Sequence, residues 1–393
     1  MSTSAAGGLL DEAHEMAPSL REFRADLHRH PELSWQEVRT TEQVASRLKA
    51  LGLVVEPFPG MTGLTADIVL GPGPVVALRA DLDALPINDL TGGPDASTVP
   101  NVSHSCGHDV HTAALIGAAE LLVRRHDLAG GTVRLVFQPA EESIPGGAPE
   151  VLRTGRLDQA TAIAALHCDP SLAIGRFAVR PGPITSAADR LHFTLRGDGG
   201  HTARPHLTHD LVNLVAKLAA ELPARALEAL DWLGEVSIVF GHILAGEAPN
   251  VIPQHAVLEG TLRTRSKAVW DAAPDAVRVA AAELLDPEGV AWEFTHERGN
   301  PPVVNDHDVT VAARAALAAI VGDAHVDAAE QSLGSEDFSW YLEAMPGTYV
   351  RLGVAPGAQG APDLHCGDFD VHPDAPVYGA AGLAAIALQL LDR

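Results

Sequence analysis

Between Ser103 and Thr112 the chain holds one thiol, Cys106, three imidazoles, His104, His108 and His111, and one carboxylate, Asp109. The apolar run Ala113–Val123 behind them reads as a helix, so Cys106 and His108, two apart at its entrance, can aim at one point. Cysteine and histidine are borderline-soft donors that zinc and its divalent neighbours accept. A site there needs further ligands, and the chain offers them far away in sequence. Glu141 and Glu142 follow one buried-strand run, His167 follows another, and His365 comes near the end. A two-metal hydrolytic site takes about four to six ligands and a base beside a water. Cys106, His108, Glu142, His167 and His365 fill that ligand count, with Glu141 as the base. Adjacent residues at a strand end diverge, so one carboxylate can bind metal while the other accepts a proton. In isolation the Glu pair also reads as an exposed charged turn, and each histidine as a surface or core residue.

Elements must bring these residues together. Leu9–Leu20 and Glu22–Arg29 have helical spacing, broken by Pro18 and stopped by Pro31, and Glu37–Leu51 is a helix ended by Gly52. Thr65–Leu70 and Val75–Ala80, joined by a Gly/Pro turn, predict a strand–turn–strand pair, whose second strand delivers Asp81 and Asp83 at its C-terminal end. Ligands collect at that end in open α/β sheets. Thr132–Phe137 leads to Glu141 and Glu142, and Thr161–Leu166 ends at His167. Alternating strands and helices with polar strand ends imply one α/β sheet domain.

From residue 184 to 299 the pattern changes. Strands Leu191–Leu195, Glu235–Ala245, His255–Arg265 and Ala291–Thr295 alternate with helices Asp210–Leu222 and Lys267–Leu285 in the order β-α-β-β-α-β, the ferredoxin-like split βαβ arrangement. The expected organisation is therefore a catalytic α/β domain over 1–183 and 300–393, with an inserted ferredoxin-like α+β domain over 184–299. The chain returns through a helix near Val309–Val321, a strand near Tyr349–Leu352 and an Ala/Leu-rich closing helix.

Composition bounds the class. The chain has 393 residues, 46% hydrophobic and 20% charged, globular values that suit two domains. Aromatics are only 4%, so Ala, Val and Leu must fill the core. A net charge of −24 argues against nucleic acid or an anionic membrane as partner. Met1–Leu20 has no signal-peptide pattern, and the longest apolar runs are too short to span a bilayer. Three cysteines, each beside or near a histidine, fit a reducing, cytoplasmic setting better than a disulfide framework.

The motifs, taken in order, resemble the M20 metallopeptidase family, specifically its amidohydrolase branch, subfamily D. That branch holds hippurate hydrolases, bacterial aminoacylase/carboxypeptidase-type enzymes and plant auxin–amino acid conjugate hydrolases. Leu27 to Ser34 resembles the branch's opening signature and Arg79 to Pro86 its aspartate-rich strand end. His104 to Ala113 resembles its Cys-Gly-His-Asp motif, Phe137 to Glu142 its Glu-Glu motif, and Gly334 to Phe338 a late loop motif. The resemblance implies a zinc-exopeptidase-like catalytic domain and two divalent ions per subunit (Zn, Mn, Co or Ni). Cys106, able to bridge them, would bind with His108, Glu142, His167 and His365. It makes Glu141 the general base and Asp83 an orienting carboxylate, with Asp81 standing where the wider family has a ligand histidine. In the inserted domain, Gly197 to Pro205 resembles a Gly-x-Gly-Gly-His motif, which makes His201 a donor to the developing oxyanion, often across a dimer interface. Asn250 and Arg263 match substrate-contacting positions. Without the resemblance, His201 sits in a Gly-rich hairpin and Arg263 in a surface salt bridge.

Cys366 to Pro373 and the segment between Pro86 and His104 depart from the branch's usual residues, which bears on substrate more than on chemistry. His28, His30, His104 and His111 are read as structural hydrogen-bonding residues. The expected activity is metal-dependent hydrolysis of an N-acyl amino acid or similar small conjugate by a homodimer or higher homo-oligomer. The rivals are a dipeptidase or carboxypeptidase on the same site and a non-catalytic metal-binding protein. No Gly-x-Ser-x-Gly elbow or His-Glu-x-x-His occurs, so serine-hydrolase and zincin chemistry are set aside.

Overall fold

The computed structural model describes residues 8–125, 130–230, 236–357 and 361–393. Met1–Gly7 and Glu235, both within the sequence expectations, lie outside the described residues. The chain divides into two compact units. The first takes Met1–Ile184, Val303–Glu330 and Asp337–Arg393, and the second Thr185–Pro302 and Gln331–Glu336.

In the first unit, helix α1 (Val38–Ala50), strand β1 (Leu64–Val69), strand β2 (Val75–Asp81), helix α2 (His108–Val123), strand β3 (Thr132–Gln138), strand β4 (Ala160–Ala173), strand β5 (Gly347–Ala355) and helix α3 (Ala375–Leu391) build the frame of the site. The eight-stranded sheet runs in the order Val55–Pro57, β1, β3, β2, β4, β5, Phe177–Val179, Val326–Ala328. Strands β3, β2, β4 and β5 are mutually parallel neighbours. Their apolar runs are buried, as parallel strands require.

Helices α2 and α3 are buried almost all round. Their small residues let them pack closely: a Cβ on Gly117 would stand 2.7 Å from that of Ala380, and one on Gly379 2.7 Å from that of Ala114. This is how a chain poor in aromatics closes its core.

Four local expectations are corrected. β1 and β2 do not pair with each other: β3 lies between them, antiparallel to β1 and parallel to β2. The Gly/Pro linker straddles the entry of β3, with Gly71 and Gly131 exchanging backbone hydrogen bonds, and it spaces two strands instead of turning a hairpin. The helical run from Leu9 breaks at Met16, just ahead of Pro18, into Leu9–Glu15 and Ala17–Arg29, and Pro18 lies in the first turn of the second helix, where a missing N–H costs nothing. Helix α2 begins at His108, earlier than the apolar run implied, so His108, Asp109 and His111 belong to its first turns. β4 does not end at His167 but runs on to Ala173, with its middle paired to β5.

The second unit is a four-stranded antiparallel sheet in the order Val236–Ala245, His255–Thr264, Ala187–Arg196, Ala291–Asn300, with helices Leu211–Leu230 and Lys267–Leu285. This is the split βαβ order. Leu191, Phe193 and Leu195 alternate into its core, where Phe193 stacks on Phe294 at 4.6 Å between ring centroids.

Candidate metal centre

The C-terminal ends of β2 and β3 and the N-terminus of α2 converge in the first unit. Gly107, between Cys106 and His108, has a φ of 82°, a backbone that side chains disfavour. A Cβ there would also stand 2.7 Å from the sulfur of Cys168. Only glycine turns the chain into α2 at this point, and the turn presents Cys106 and His108 together.

One donor atom from each of Cys106, His108 and His167 falls within 4.8 Å of the others, and the same holds for Cys106, Glu142 and His365. Cys106 is common to both sets. Its sulfur lies 3.4 Å from Nε2 of His167, and Nε2 of His365 lies 3.3 Å from Oε1 of Glu142. Nε2 of His108 is 3.8 Å from Glu141 and 3.9 Å from Glu142. The five expected ligands and the expected base are thus gathered in one place. The donor set runs from buried Cys106, His108 and His167 to exposed His365.

Each buried histidine is aimed by its other nitrogen. Nδ1 of His108 donates to the Asp83 carbonyl at 2.8 Å, and Nδ1 of His167 to the Cys168 carbonyl at 2.7 Å. Both Nε2 atoms are then left as lone-pair donors, the arrangement of metal-binding histidines. Nε2 of His108 and Oε1 of Glu142 are buried without a hydrogen-bond partner, which is costly unless a cation takes them. Burial disfavours a charged His108, but Asp81, Asp83 and Glu142 outweigh it and push its pKa up to about 10. A proton on His108 thus offsets part of the surrounding negative charge, and a divalent cation would replace it. Burial, then Glu142 and Glu141, hold the Cys106 thiol well above its usual range, so a thiolate there needs a cation. The residues fit a divalent metal.

The Glu pair sits on a strained turn. Ala140 has a φ of 57°, and His365 one of 61°. Asp83, fully buried, takes the N–H of Glu141 on Oδ1 at 3.1 Å and that of Glu142 on Oδ2 at 2.9 Å, with Ser34 donating to Oδ2 at 2.7 Å. His365 is tied in by its own N–H, 2.8 Å from the Ser105 carbonyl.

His111 and Asp81 bond to each other at 2.6 Å, and Cys168 donates its N–H to the other ring nitrogen of His111 at 3.0 Å. His28 and His30 are likewise bonded, to Asp109 and to the Asp26 carbonyl. His104 differs from its structural expectation: it is buried and neither ring nitrogen has a hydrogen-bond partner. Burial lowers its pKa to about 4, which keeps the ring neutral.

Two supports were not assigned from sequence. Arg79 is wholly buried between Asp81 at 2.6 Å and Asp337 at 2.8 Å, and its Nε donates to Gln138. A charged residue in an otherwise apolar strand was the available signal. Glu37 bonds the Ala140 N–H, and an acidic residue at a helix start carries no sign in the sequence of such a partner.

In the second unit, His201 and Asn250 are neighbours, since Gly200–His201 pairs with Val251–Ile252. The Ala203 N–H donates to Nδ1 of His201 at 3.0 Å, so the ring proton sits on exposed Nε2. Arg263 lies on His255–Thr264 and donates to the Leu333 carbonyl at 2.6 Å, a backbone partner in place of a surface salt bridge.

Residues 77–389 match the model of peptidase family M20/M25/M40. The chain is 37% identical over 372 residues to N-acetylcysteine deacetylase of Bacillus subtilis, covering 94% of this chain and 96% of that one. It is 45% identical over 367 residues to a putative glutamate–cysteine ligase of Rhodococcus jostii, covering 93% of this chain but only 46% of that longer protein. A Bacillus subtilis crystal structure described as a dinuclear metal binding peptidase of the M20 family superposes with a TM-score of 0.83 at 34% identity, over 96% of this chain and 99% of that one. On these matches the chain belongs to peptidase family M20/M25/M40 and is a metal-dependent hydrolase of amide bonds.

Proposed function

We propose that the chain cleaves the amide of N-acyl amino acids, with Cys106, His108 and His167 holding one divalent ion and Cys106, Glu142 and His365 a second. The observation that carries this reading is the sharing of Cys106 by two donor sets beside the Glu141–Glu142 turn. Cations held there would acidify a water and polarise the scissile carbonyl. Glu141, beside the ligand set, takes the proton from the attacking water and passes it to the leaving nitrogen. Asp83 fixes the turn that presents Glu141. His201, with its proton on Nε2, donates to the developing oxyanion, while Asn250 and Arg263 hold the substrate, whose carboxylate an Arg fork suits. The deacetylase relative supports a small acyl group.

The metals are drawn from Zn, Mn, Co and Ni, all suited to this mixed donor set. The second unit serves as lid and dimerisation domain. The described residues contain no helix long and apolar enough to cross a membrane, and Cys106, Cys168 and Cys366 are all free thiols. The free thiols support a cytoplasmic setting.

The test is amine release from a panel of N-acyl amino acids and free dipeptides by metal-stripped protein resupplied with each cation. Metal-restored cleavage of the acylated compounds is expected. Cleavage of dipeptides alone would move the chain to a peptidase role.

A further inference from the structure

Glu37 opens α1, far in sequence from the donor set, and is buried. Its Oε1 takes two backbone N–H groups, that of Trp35 at 2.9 Å and that of Ala140 at 2.8 Å. Its Oε2 takes the Thr62 hydroxyl at 2.5 Å. Trp35 and Ala140 share an unusual property: φ is 67° at one and 57° at the other. Left-handed backbone at a non-glycine residue persists only where the surroundings hold it.

Ala140 directly precedes Glu141. The three successive N–H groups of Ala140, Glu141 and Glu142 are therefore held by two carboxylates, the first by Glu37 and the next two by Asp83. The far side of the turn is closed by the Gly147 N–H on the Ala140 carbonyl at 2.9 Å. Thr62 is itself braced. Gly63, next to it, is pressed so close to Phe137 and Pro139 that a Cβ would stand 2.5 Å from the Phe137 carbonyl oxygen. Glu37 thus joins α1, the Thr62–Gly63 turn and the Glu pair through fixed hydrogen bonds.

We propose that Glu37 is a positioning residue that sets the direction of Glu141 by holding Ala140 in its left-handed conformation. The inference rests on the reading of Glu141 as the base. Without the Glu37 acceptor, Ala140 relaxes toward ordinary backbone and rotates the peptide that leads into Glu141. Glu37 belongs to none of the donor sets, so its loss acts through geometry alone.

Three variants test it: E37A removes the acceptor, E37D draws the carboxylate back by a methylene, and E37Q keeps an acceptor oxygen for both N–H groups and offers an N–H to Thr62. On the fastest substrate of the N-acyl panel, E37A and E37D should lose roughly 10- to 100-fold in kcat with KM nearly unchanged. E37Q should keep most of the activity. Amide hydrogen exchange in the peptide spanning Ala140–Glu142 should quicken in E37A and E37D but not in E37Q. That readout needs no substrate, and E37D decides if E37A does not fold.

Unchanged exchange in E37D, or an E37Q as slow as E37D, overturns the proposal. E141Q measured alongside separates the two claims. If E141Q is inactive with its metals bound, a null result in E37D counts against Glu37 alone. If E141Q still hydrolyses, the base is elsewhere, and exchange alone judges whether Glu37 holds the turn.

Discussion

The sulfur of Cys106 stands 3.4 Å from Nε2 of His167, whose other nitrogen is committed to the Cys168 carbonyl. The same sulfur belongs to the donor set with Glu142 and His365. One thiol thus serves two triads, and the two cations should not be lost independently of it. C106A should bind neither ion after dialysis, whereas H365A should keep the one held by Cys106, His108 and His167. Metal analysis by mass spectrometry decides, and a C106A protein with a full complement would remove the bridge.

Asp83 touches no expected ligand atom of Glu142, yet it holds the backbone of both members of the Glu pair. D83A should lower kcat roughly 10- to 100-fold, as loss of a supporting hydrogen bond around a metal site does. D83N, which keeps one acceptor oxygen, should fall between D83A and the parent. Steady-state kinetics on metal-loaded protein gives the order.

His201 is expected to act in the transition state only. H201A should cut turnover by roughly 10²- to 10³-fold and leave metal content intact. Sedimentation of the parent protein would report the dimer that the second unit is proposed to form.

The acid limb of stability should belong in part to Asp109, which is fully buried with Arg24 Nε at 2.6 Å and His28 Nδ1 at 2.8 Å. Burial alone would raise its pKa, but Arg24 and then His28 outweigh that and hold it well below the usual carboxylate range. A folded pKa below the unfolded value of roughly 3.9 means stability that is present above that pH and lost as the pH falls. D109N should flatten the acid limb. It should also cost roughly 1.5–3 kcal/mol at pH 7, because part-buried Arg24 loses a charge-assisted hydrogen bond and keeps its longer contact to Asp370. Urea titrations at pH 7 and below pH 4 measure both.

Glu37 has the opposite sign. Burial pushes its pKa up to about 7, against the pull of Thr62. Its contribution is therefore full below the unfolded value of roughly 4.3 and is lost as the pH rises through about 7. Replacing it by glutamine should remove that decline, so E37Q should gain stability relative to the parent between pH 5 and pH 8. An unchanged pH dependence of the melting temperature would contradict this.

That Cys106, His108, Glu142, His167 and His365 would gather in one place was legible because donor chemistry is written in residue types. The alternation of elements carried the two-part architecture for the same reason. What stayed hidden depends on pairing in space. The apolar runs of β1 and β2 do not say that β3 comes between them, and nothing local to Leu166 says that β4 continues past His167. Left-handed backbone at Ala140 and His365 has no signature in residues that are not glycine. Glu37 acts on a turn about a hundred residues away, a distance no motif spans, and the orienting part expected of Asp83 gave no sign that its partners are the N–H groups of Glu141 and Glu142. His104, expected to be bonded, is buried without a partner.

The most direct test of the central claim is hydrolysis of N-acyl amino acids by the parent protein and E141Q, with metal content measured on the same samples. The account predicts that both proteins bind the cations, that the parent loses activity on stripping and regains it on resupply, and that E141Q cleaves nothing. Cleavage by E141Q, or by parent protein free of metal, would contradict it.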